Sequence, residues 1–307
     1  MERIVDISSD NLHLGVHRGF LTVTKDRECI GRVPLDDIGG LITHAHGLTW
    51  SNSVFVRLSE RNIPVVICAS NHAPVTCLWP IEGHHLQGAR LRAQADMKQP
   101  FKKQAWRRIV SAKIGMQGAV LRSAGQQAGA FDRMAQKVRS GDPDNLEAQA
   151  ARRYWPLLMG NAFRRDRDGA GVNGLLNYGY TVLRAILSRA ICAAGLHPTL
   201  GLHHTNQNNA FALADDLMEP YRPLVDRMAS NLARTGQVEV DSRAKQALAG
   251  LGTLDLDTAD GLSPLSVQVS RFVHSLAKSM VSGTPDLDPP RPPSALTLAQ
   301  LGLETSE

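Results

Sequence analysis

Residues 101–124 read FKKQAWRRIVSAKIGMQGAVLRSA, and at this point the texture of the chain changes. Apolar residues recur at three- and four-residue spacing, which predicts an amphipathic helix. Pro100 and Gly125 bracket it, and proline suits a first helical turn because its missing N–H would have no partner there. On the N-terminal side the pattern is different. RIVDIS, LHLGV, FLTVT, CIGRVPL and GLITH are short β-branched runs broken by Gly, Asn and Asp, the signature of strands. The HRG at 17–19 and the KDRE at 25–28 read as tight connections. SNSVFVRLSERN (51–62) predicts one helix, and IPVVICA returns to strand. Residues 1–80 are thus expected to form a small sheet with one helix.

On the C-terminal side, strand-like runs disappear after about residue 84. Further helices are expected over 127–139, 145–159, 174–194, 209–232, 241–250 and 264–281, with Ser263-Pro264 as the start signal of the last. The fold class is α+β: a small N-terminal β-rich domain followed by a larger all-α domain. The division is expected at 1–82, 83–282 and a Pro-rich tail, 283–307. PDLDPPRPPS cannot build a core, so the tail is expected to be flexible. LTLAQL near the end is a candidate docking segment on hydrophobicity alone.

The composition is that of a globular chain: 307 residues, 43% hydrophobic and 21% charged. No apolar run approaches the ~20 residues needed to span a bilayer. MERIVDISSDNLHLG has neither the basic start nor the apolar centre of a signal peptide. A cytoplasmic location without membrane contact is expected. Cys29, Cys68, Cys77 and Cys192 show no CxxC spacing, which excludes a zinc ribbon and suggests buried free thiols.

The basic charge is concentrated. Residues 90–122 hold nine Lys or Arg (90, 92, 98, 102, 103, 107, 108, 113 and 122) against one acid, Asp96, with Trp106 among them. Such a band can neutralise phosphates and release counterions, or it can be a solvated helix surface. Arg164, Arg165 and Arg167, interrupted by Asp166 and Asp168, fit an exposed turn with local ion pairs.

Against this background GLHHTNQNNAFALADDLMEPYR (201–222) is unusual. Ala214, Leu217, Met218, Tyr221, Val225 and Met228 make one apolar stripe, and Asp215, Asp216 and Glu219 fall opposite it. Pro220 would collide with the carbonyl of Asp216, so a kink or restart is expected beside the acids. The acids read either as a solvated polar face or, with His203 and His204 just upstream, as joint metal ligands. Glu147 is a candidate third donor, although Asp144 and Glu147 also fit an N-terminal capping box.

Four segments weigh these alternatives together: EAQAARRYWPLL (147–158), NGLLNYGYTVL (173–183), GLHPTLGLHH (195–204) and DLMEPYRP (216–223). In this order and spacing they closely resemble the CRISPR-associated adaptation endonuclease/integrase, the first-numbered of the CRISPR-associated proteins. RRDRDGAGVNGLLNYGY resembles its compact type II branch. The resemblance covers residues 1 to about 280. It implies a metal triad of a Glu in E-x-x-A-A, a His in G-x-x-H and the acid ending D-L-x-E, which here are Glu147, His204 and Glu219. Asp216 would support a ligand or be an alternative one, and His203 is the neighbouring wrong choice. Asn177 and Tyr178 would be structural or DNA-facing. Implied with the triad are Mg²⁺ or Mn²⁺, attack of a DNA 3′-hydroxyl on a CRISPR repeat-boundary phosphodiester, a homodimer built through the β domain, and a heterohexamer with the second-numbered CRISPR-associated protein.

Two other readings remain distinct in kind: a non-catalytic DNA-binding scaffold whose acids are a solvated face, and a metal-dependent hydrolase of small phosphates.

Overall fold

The computed structural model describes residues 3–69, 74–78, 80, 84–204, 206, 208–258 and 261–303. The N-terminal region contains β1 (Arg3–Ile7), β2 (His13–His17), β3 (Phe20–Lys25), β4 (Glu28–Pro34), β5 (Ile38–Thr43), β6 (Thr49–Trp50), α1 (Asn52–Ser59), β7 (Val65–Cys68) and β8 (Pro74–Leu78). The strands form two sheets rather than the single one expected, in the orders β1-β5-β7-β8 and β4-β3-β2-β6. The meander β2-β3-β4 was legible because its turns are local: Asp26 and Arg27 both take positive φ (48° and 70°), as a tight hairpin turn requires. The parallel pairing of β1 with β5 and of β5 with β7 leaves no local mark, since alternation shows a strand's faces but not its neighbour.

Leu14, Leu21, Leu35, Ile38, Leu41, Val54 and Leu58 fill one apolar cluster beneath the sheets. The other face of the first sheet belongs to the helices, because Ile4, Ile42, Val66 and Cys68 join the main helical core. That is why β5, IGGLIT, is buried along its whole length and lacks strand-like alternation.

The remainder is α2 (Gln87–Ala95), α3 (Gln99–Ser123), α4 (Gly129–Lys137), α5 (Leu146–Met159), α6 (Val172–Ala193), α7 (Ala212–Met218), α8 (Arg222–Arg234), α9 (Ser242–Ala249), β9 (Asp255–Thr258), β10 (Gly261–Pro264), α10 (Leu265–Ser282) and α11 (Ala295–Gln300). The β-rich then helical order is as expected. The all-α expectation is corrected by the β9–β10 hairpin, which shifts the start of α10 to just past Pro264. The 82/83 boundary lies outside the described residues. No described helix is long and apolar enough to cross a membrane.

The central helix is α6, buried almost throughout. It runs close to α8 because Gly179 has no side chain: a Cβ there would stand 2.5 Å from Val225 Cγ1 and 3.2 Å from Leu248 Cδ2. Gly179→Ala is expected to destabilise by about 1–3 kcal/mol through overpacking, read as a lower melting temperature without loss of helix content.

The helix is tied to the sheet by Tyr178, whose hydroxyl donates to Asp6 Oδ2 at 2.9 Å. His44 joins this junction: Lys245 Nζ donates to its Nε2 at 2.9 Å, and Asp6 Oδ1 lies 3.4 Å away. Burial, helped by the Lys245 charge, lowers the His44 pKa to about 4. An unfolded histidine (pKa ~6.5) therefore binds a proton that the folded one refuses. This contribution is complete above about pH 6.5 and is lost as pH falls toward 4. His44→Gln is expected to flatten that part of the stability profile by about 2–3 kcal/mol, measured as the wild-type-minus-variant difference in denaturant unfolding from pH 4 to 7.

The tail expectation is corrected over 283–303. Leu287, Leu298 and Leu301 are buried, and Asn231 Nδ2 donates to Ala299 O at 3.0 Å and Leu301 O at 2.7 Å. Ser294 caps α11 by accepting from Thr297 N at 3.2 Å. Prolines prevent a core of the tail's own, but Leu298 and Leu301 of LTLAQL complete that of α3 and α8. Residues 304–307 lie outside the described residues. The free-thiol expectation holds for Cys68 and Cys192, which are buried, whereas Cys29 is exposed.

Candidate active site

The acids of 209–228 do not form a solvated face. Asp215, Asp216 and Glu219 are all buried, and the segment is enclosed on every side. Buried carboxylates need a cation or several N–H donors, and each has its own set. Asp215 accepts from Arg184 Nε at 2.8 Å and from Asn209 Nδ2 at 2.9 Å. Asp216 accepts the backbone N–H groups of Leu202, His203 and His204 at 2.6, 3.0 and 3.2 Å, and His204 Nδ1–H at 2.6 Å. Glu219 meets Lys113 Nζ at 2.5 Å and Arg222 Nε at 2.8 Å.

Pro220 acts as expected. The segment breaks between α7, ending at Met218, and α8, starting at Arg222. At this break Glu219 reaches both Lys113 of α3 and Arg222 at the start of α8.

The loop 201–204 is shaped by Asp216. Gly201 approaches it so closely that a Cβ would stand 2.8 Å from both Asp216 Oδ2 and His204 O, which accounts for glycine at the head of the G-x-x-H motif. His204 is held through Nδ1, so its Nε2 is the nitrogen left to ligate. The hydrogen bond to Asp216 raises the His204 pKa, against the opposing effect of burial. His203 stacks flat on Trp106, with ring centroids 4.2 Å apart and planes 2° apart. His204 meets the same indole edge-on, with centroids 6.0 Å apart.

Glu147 does not cap its own helix. The N-cap of α5 is Asn145, in the left-handed region at φ 52°. Asp142 accepts Leu146 N at 2.9 Å and Glu147 N at 3.0 Å, and Asp144 pairs with Arg139. The capping-box alternative is therefore overturned: with the helix end already satisfied, the Glu147 carboxylate turns inward to Lys113 Nζ at 2.6 Å.

Glu147 and Glu219, 72 residues apart in number, thus converge on one ammonium. Burial works against the Lys113 ammonium, but Glu219 and Glu147 outweigh it and hold its pKa above the usual value. Burial likewise works against the Glu219 anion, yet Arg222 and Lys113 bring its pKa down to about 2. The Glu219 charge adds to the influences that raise the His204 pKa. Of the three expected ligands, Glu147 and Glu219 share a contact point, and His204 is held by Asp216. Among the described residues no three His, Cys, Asp or Glu side chains are already grouped as a cation cage.

Behind Glu219 lies a second layer. The Arg222 guanidinium sits 4.6 Å from the Tyr180 ring centroid, and the Tyr180 hydroxyl donates to Asp226 Oδ1. Burial pushes the Asp226 pKa up to about 7, against the Tyr180 hydrogen bond and the Arg222 charge. Sequence reasoning missed Lys113, Arg222 and Asp226 as site residues. One signal was present for Lys113: it falls on the stripe formed by Ala105, Ile109, Met116 and Val120, all buried, where a lysine needs a reason.

Much of the basic band is engaged internally. Arg90 donates to Ala194 O, Arg107 to Val138 O and Arg108 to Leu287 O, while Arg122 pairs with Asp132. Arg92, Lys98 and Lys103 are exposed. The RRDRD loop is not laced by its own ion pairs. Arg165 donates to Asn173 Oδ1 at 3.0 Å and Asn177 Oδ1 at 2.6 Å, and Asn177 Nδ2 donates to Arg167 O, so Asn177 clamps this loop to α6.

Such a fold, with the glutamates of the E-x-x-A-A and D-L-x-E motifs on one lysine and the G-x-x-H histidine held by a buried aspartate, defines a class. Residues 5–251 match the family model of the CRISPR associated protein Cas1, and the chain belongs to that family. The CRISPR-associated endonuclease Cas1 of Neisseria meningitidis serogroup C (strain 8013) is 36% identical over 211 residues, covering 68% of this chain and 69% of that protein. Two solved structures share the fold. One is a casposase bound to integration product, with TM-score 0.78 and 20% identity, covering 98% of this chain and 94% of the other. The other is a Cas6-RT-Cas1–Cas2 complex, with TM-score 0.76 and 20% identity, covering 94% of this chain and 36% of the other.

Proposed function

We propose that the protein is a divalent-metal-dependent DNA endonuclease/integrase of CRISPR adaptation, which inserts short DNA into a CRISPR array. The observation that carries the reading is the convergence of Glu147 and Glu219 on one buried positive charge; His204, oriented by the buried Asp216 carboxylate, supports it. The Lys113 ammonium would stand in for a cation at that point, and its two ion pairs support a seat for positive charge there. Two carboxylates and an imidazole without thiolate suit Mg²⁺ or Mn²⁺. Glu147, Glu219 and His204 Nε2 would hold the ion. Once bound, it would offset charge developing on the phosphate and ease deprotonation of the attacking hydroxyl.

The chain's own groups set the geometry. Asp216 fixes the His204 tautomer by accepting Nδ1–H, the usual support for a ligating imidazole. Arg222 holds one oxygen of Glu219 and keeps it ionised. In the transfer itself, the 3′-oxygen of the incoming strand bonds to the target phosphorus as the existing P–O3′ bond breaks. The attacking hydroxyl loses its proton, and the departing 3′-oxygen gains one. No covalent bond to protein is required.

Partners follow the same reading. The similar casposase is bound to an integration product, and the similar Cas6-RT-Cas1–Cas2 assembly contains Cas2. DNA, a homodimer through the β-rich region (1–82) and a heterohexamer with Cas2 are proposed for this chain, with the helical region (83–282) catalytic and DNA-binding. The β4 edge, with Ile30 58% exposed, is a surface that pairing would cover. The likeness of the RRDRDGAGVNGLLNYGY segment supports the type II branch for this chain, and a cytoplasmic location suits such a partner set.

The test is joining of a labelled short duplex to a plasmid carrying a CRISPR repeat, with purified Cas2 present. Joined product that requires Mn²⁺ or Mg²⁺ and a free 3′-hydroxyl on the duplex supports the proposal. Duplex binding without joining under every metal condition returns the protein to the scaffold reading.

A further inference from the structure

Lys113 is a poor choice for a lysine that merely decorates a helix. Its side chain is 12% exposed, on the inward stripe of α3, and its ammonium touches both carboxylates proposed as ligands, at 2.6 and 2.5 Å. Glu219 already has Arg222 as a counter-ion, so its charge is compensated without Lys113. Glu147 gains its counter-ion from Lys113. What the lysine adds is a bridge: it holds two mutually repelling carboxylates, from α5 and from the α7–α8 break, against one point in space.

A divalent cation bound to the same two carboxylates would occupy that point. An ammonium and a doubly charged ion cannot share it, because like charges a few ångströms apart repel strongly in a partly buried site. We propose that Lys113 is a resident occupant of the cation position, holding Glu147 and Glu219 in ligating geometry until a divalent ion displaces it. The proposal rests on the cation reading above and adds an exchange to it. The unloaded site is prearranged but self-neutralised, and metal enters by expelling an amine on a flexible four-carbon stem. Lys113 is thus a positioning residue whose charge sets the threshold for metal loading.

Three readouts independent of catalysis follow, all on the full chain. Mn²⁺ titration, followed by the electron paramagnetic resonance of the free ion, is expected to show about tenfold or tighter binding in Lys113→Met and Lys113→Gln than in wild type. Thermal melting is expected to show both variants less stable than wild type without metal, and stabilised more than wild type by Mn²⁺, since the ion restores the missing counter-charge. In the unsubstituted protein, reductive methylation mapped by peptide mass spectrometry is expected to label Lys113 several-fold faster once Mn²⁺ is added. This measurement stands even where the variants fold poorly.

Equal or weaker Mn²⁺ binding in the neutral variants, with wild type binding normally, overturns the exchange and leaves the cation reading intact. So does a Lys113 labelling rate unchanged by saturating Mn²⁺. A wild-type protein that binds no Mn²⁺, or binds it unaltered by Glu147→Gln, overturns the cation reading itself and the exchange with it.

Discussion

Glu147→Gln is expected to abolish metal-dependent strand transfer, lowering its rate by at least two to three orders of magnitude, while leaving duplex binding and the fold nearly unchanged. Glutamine keeps the length and shape of the side chain. It cannot supply the negative charge that a hard cation requires, and its amide N–H₂ would point a donor where a ligand oxygen is needed. The fold is spared because Glu147 is not its helix cap: Asn145 and Asp142 serve that end. Duplex binding is spared because the exposed Arg92, Lys98 and Lys103 contribute none of their charge to this pocket. Joining assays and gel-shift titrations on the same preparation check the separation. Loss of both properties together, or of neither, goes against it.

Asp216→Asn is expected to behave differently, losing stability as well as activity. The Asp216 carboxylate accepts three backbone N–H groups and the His204 Nδ1–H and is fully buried. An amide turns one of those two acceptor oxygens into a donor facing donors. At least two of the four bonds are lost, and the loop that carries His204 is released. Buried donors left unpaired cost about 1–3 kcal/mol each, so a loss of roughly 3–5 kcal/mol is expected, or a fall in melting temperature on the order of 5–10 °C. Asp215→Asn, whose partner Arg184 is 21% exposed, should cost visibly less. Thermal or denaturant unfolding of the two variants side by side checks the order. An Asp216→Asn protein as stable as wild type would show that the loop does not depend on that carboxylate.

What could be read in the chain and what could not divide along a physical line. Local rules worked. Paired positive-φ turns gave the β2-β3-β4 meander, Pro100 gave the start of α3, and Pro220 gave the break that turns Glu219 inward. Pairings between distant strands were not legible, because β1 and β5 carry their partnership only in the fold. The burial of Asp215, Asp216 and Glu219 could not be seen on a helical wheel either. A wheel separates faces but does not say which of them another element will cover, and here both are covered. Glu147 shows the limit of motif logic alone: its spacing from Asp144 fits a capping box, yet Asp142, outside that motif, takes the capping N–H groups. The tail was misread for a similar reason. Its prolines exclude a core of its own, but Leu298 and Leu301 needed only a place in someone else's.

In sequence Lys113 is one of nine basic residues that read either as a phosphate-neutralising band or as a solvated helix surface. Its helical phase placed it inside, and the two acids that account for it come from segments 34 and 106 positions further on. No local pattern could have joined them.

The central claim is that Glu147, His204 and Glu219 together form the seat of a divalent cation. Anomalous diffraction from a crystal of the full chain soaked in Mn²⁺ tests it most directly. The account predicts a manganese peak about 2.1 Å from oxygens of Glu147 and Glu219 and close to His204 Nε2, with Asp216 still bound to Nδ1. A manganese peak elsewhere, with the Lys113 ammonium still bridging the two carboxylates at saturating Mn²⁺, would contradict it.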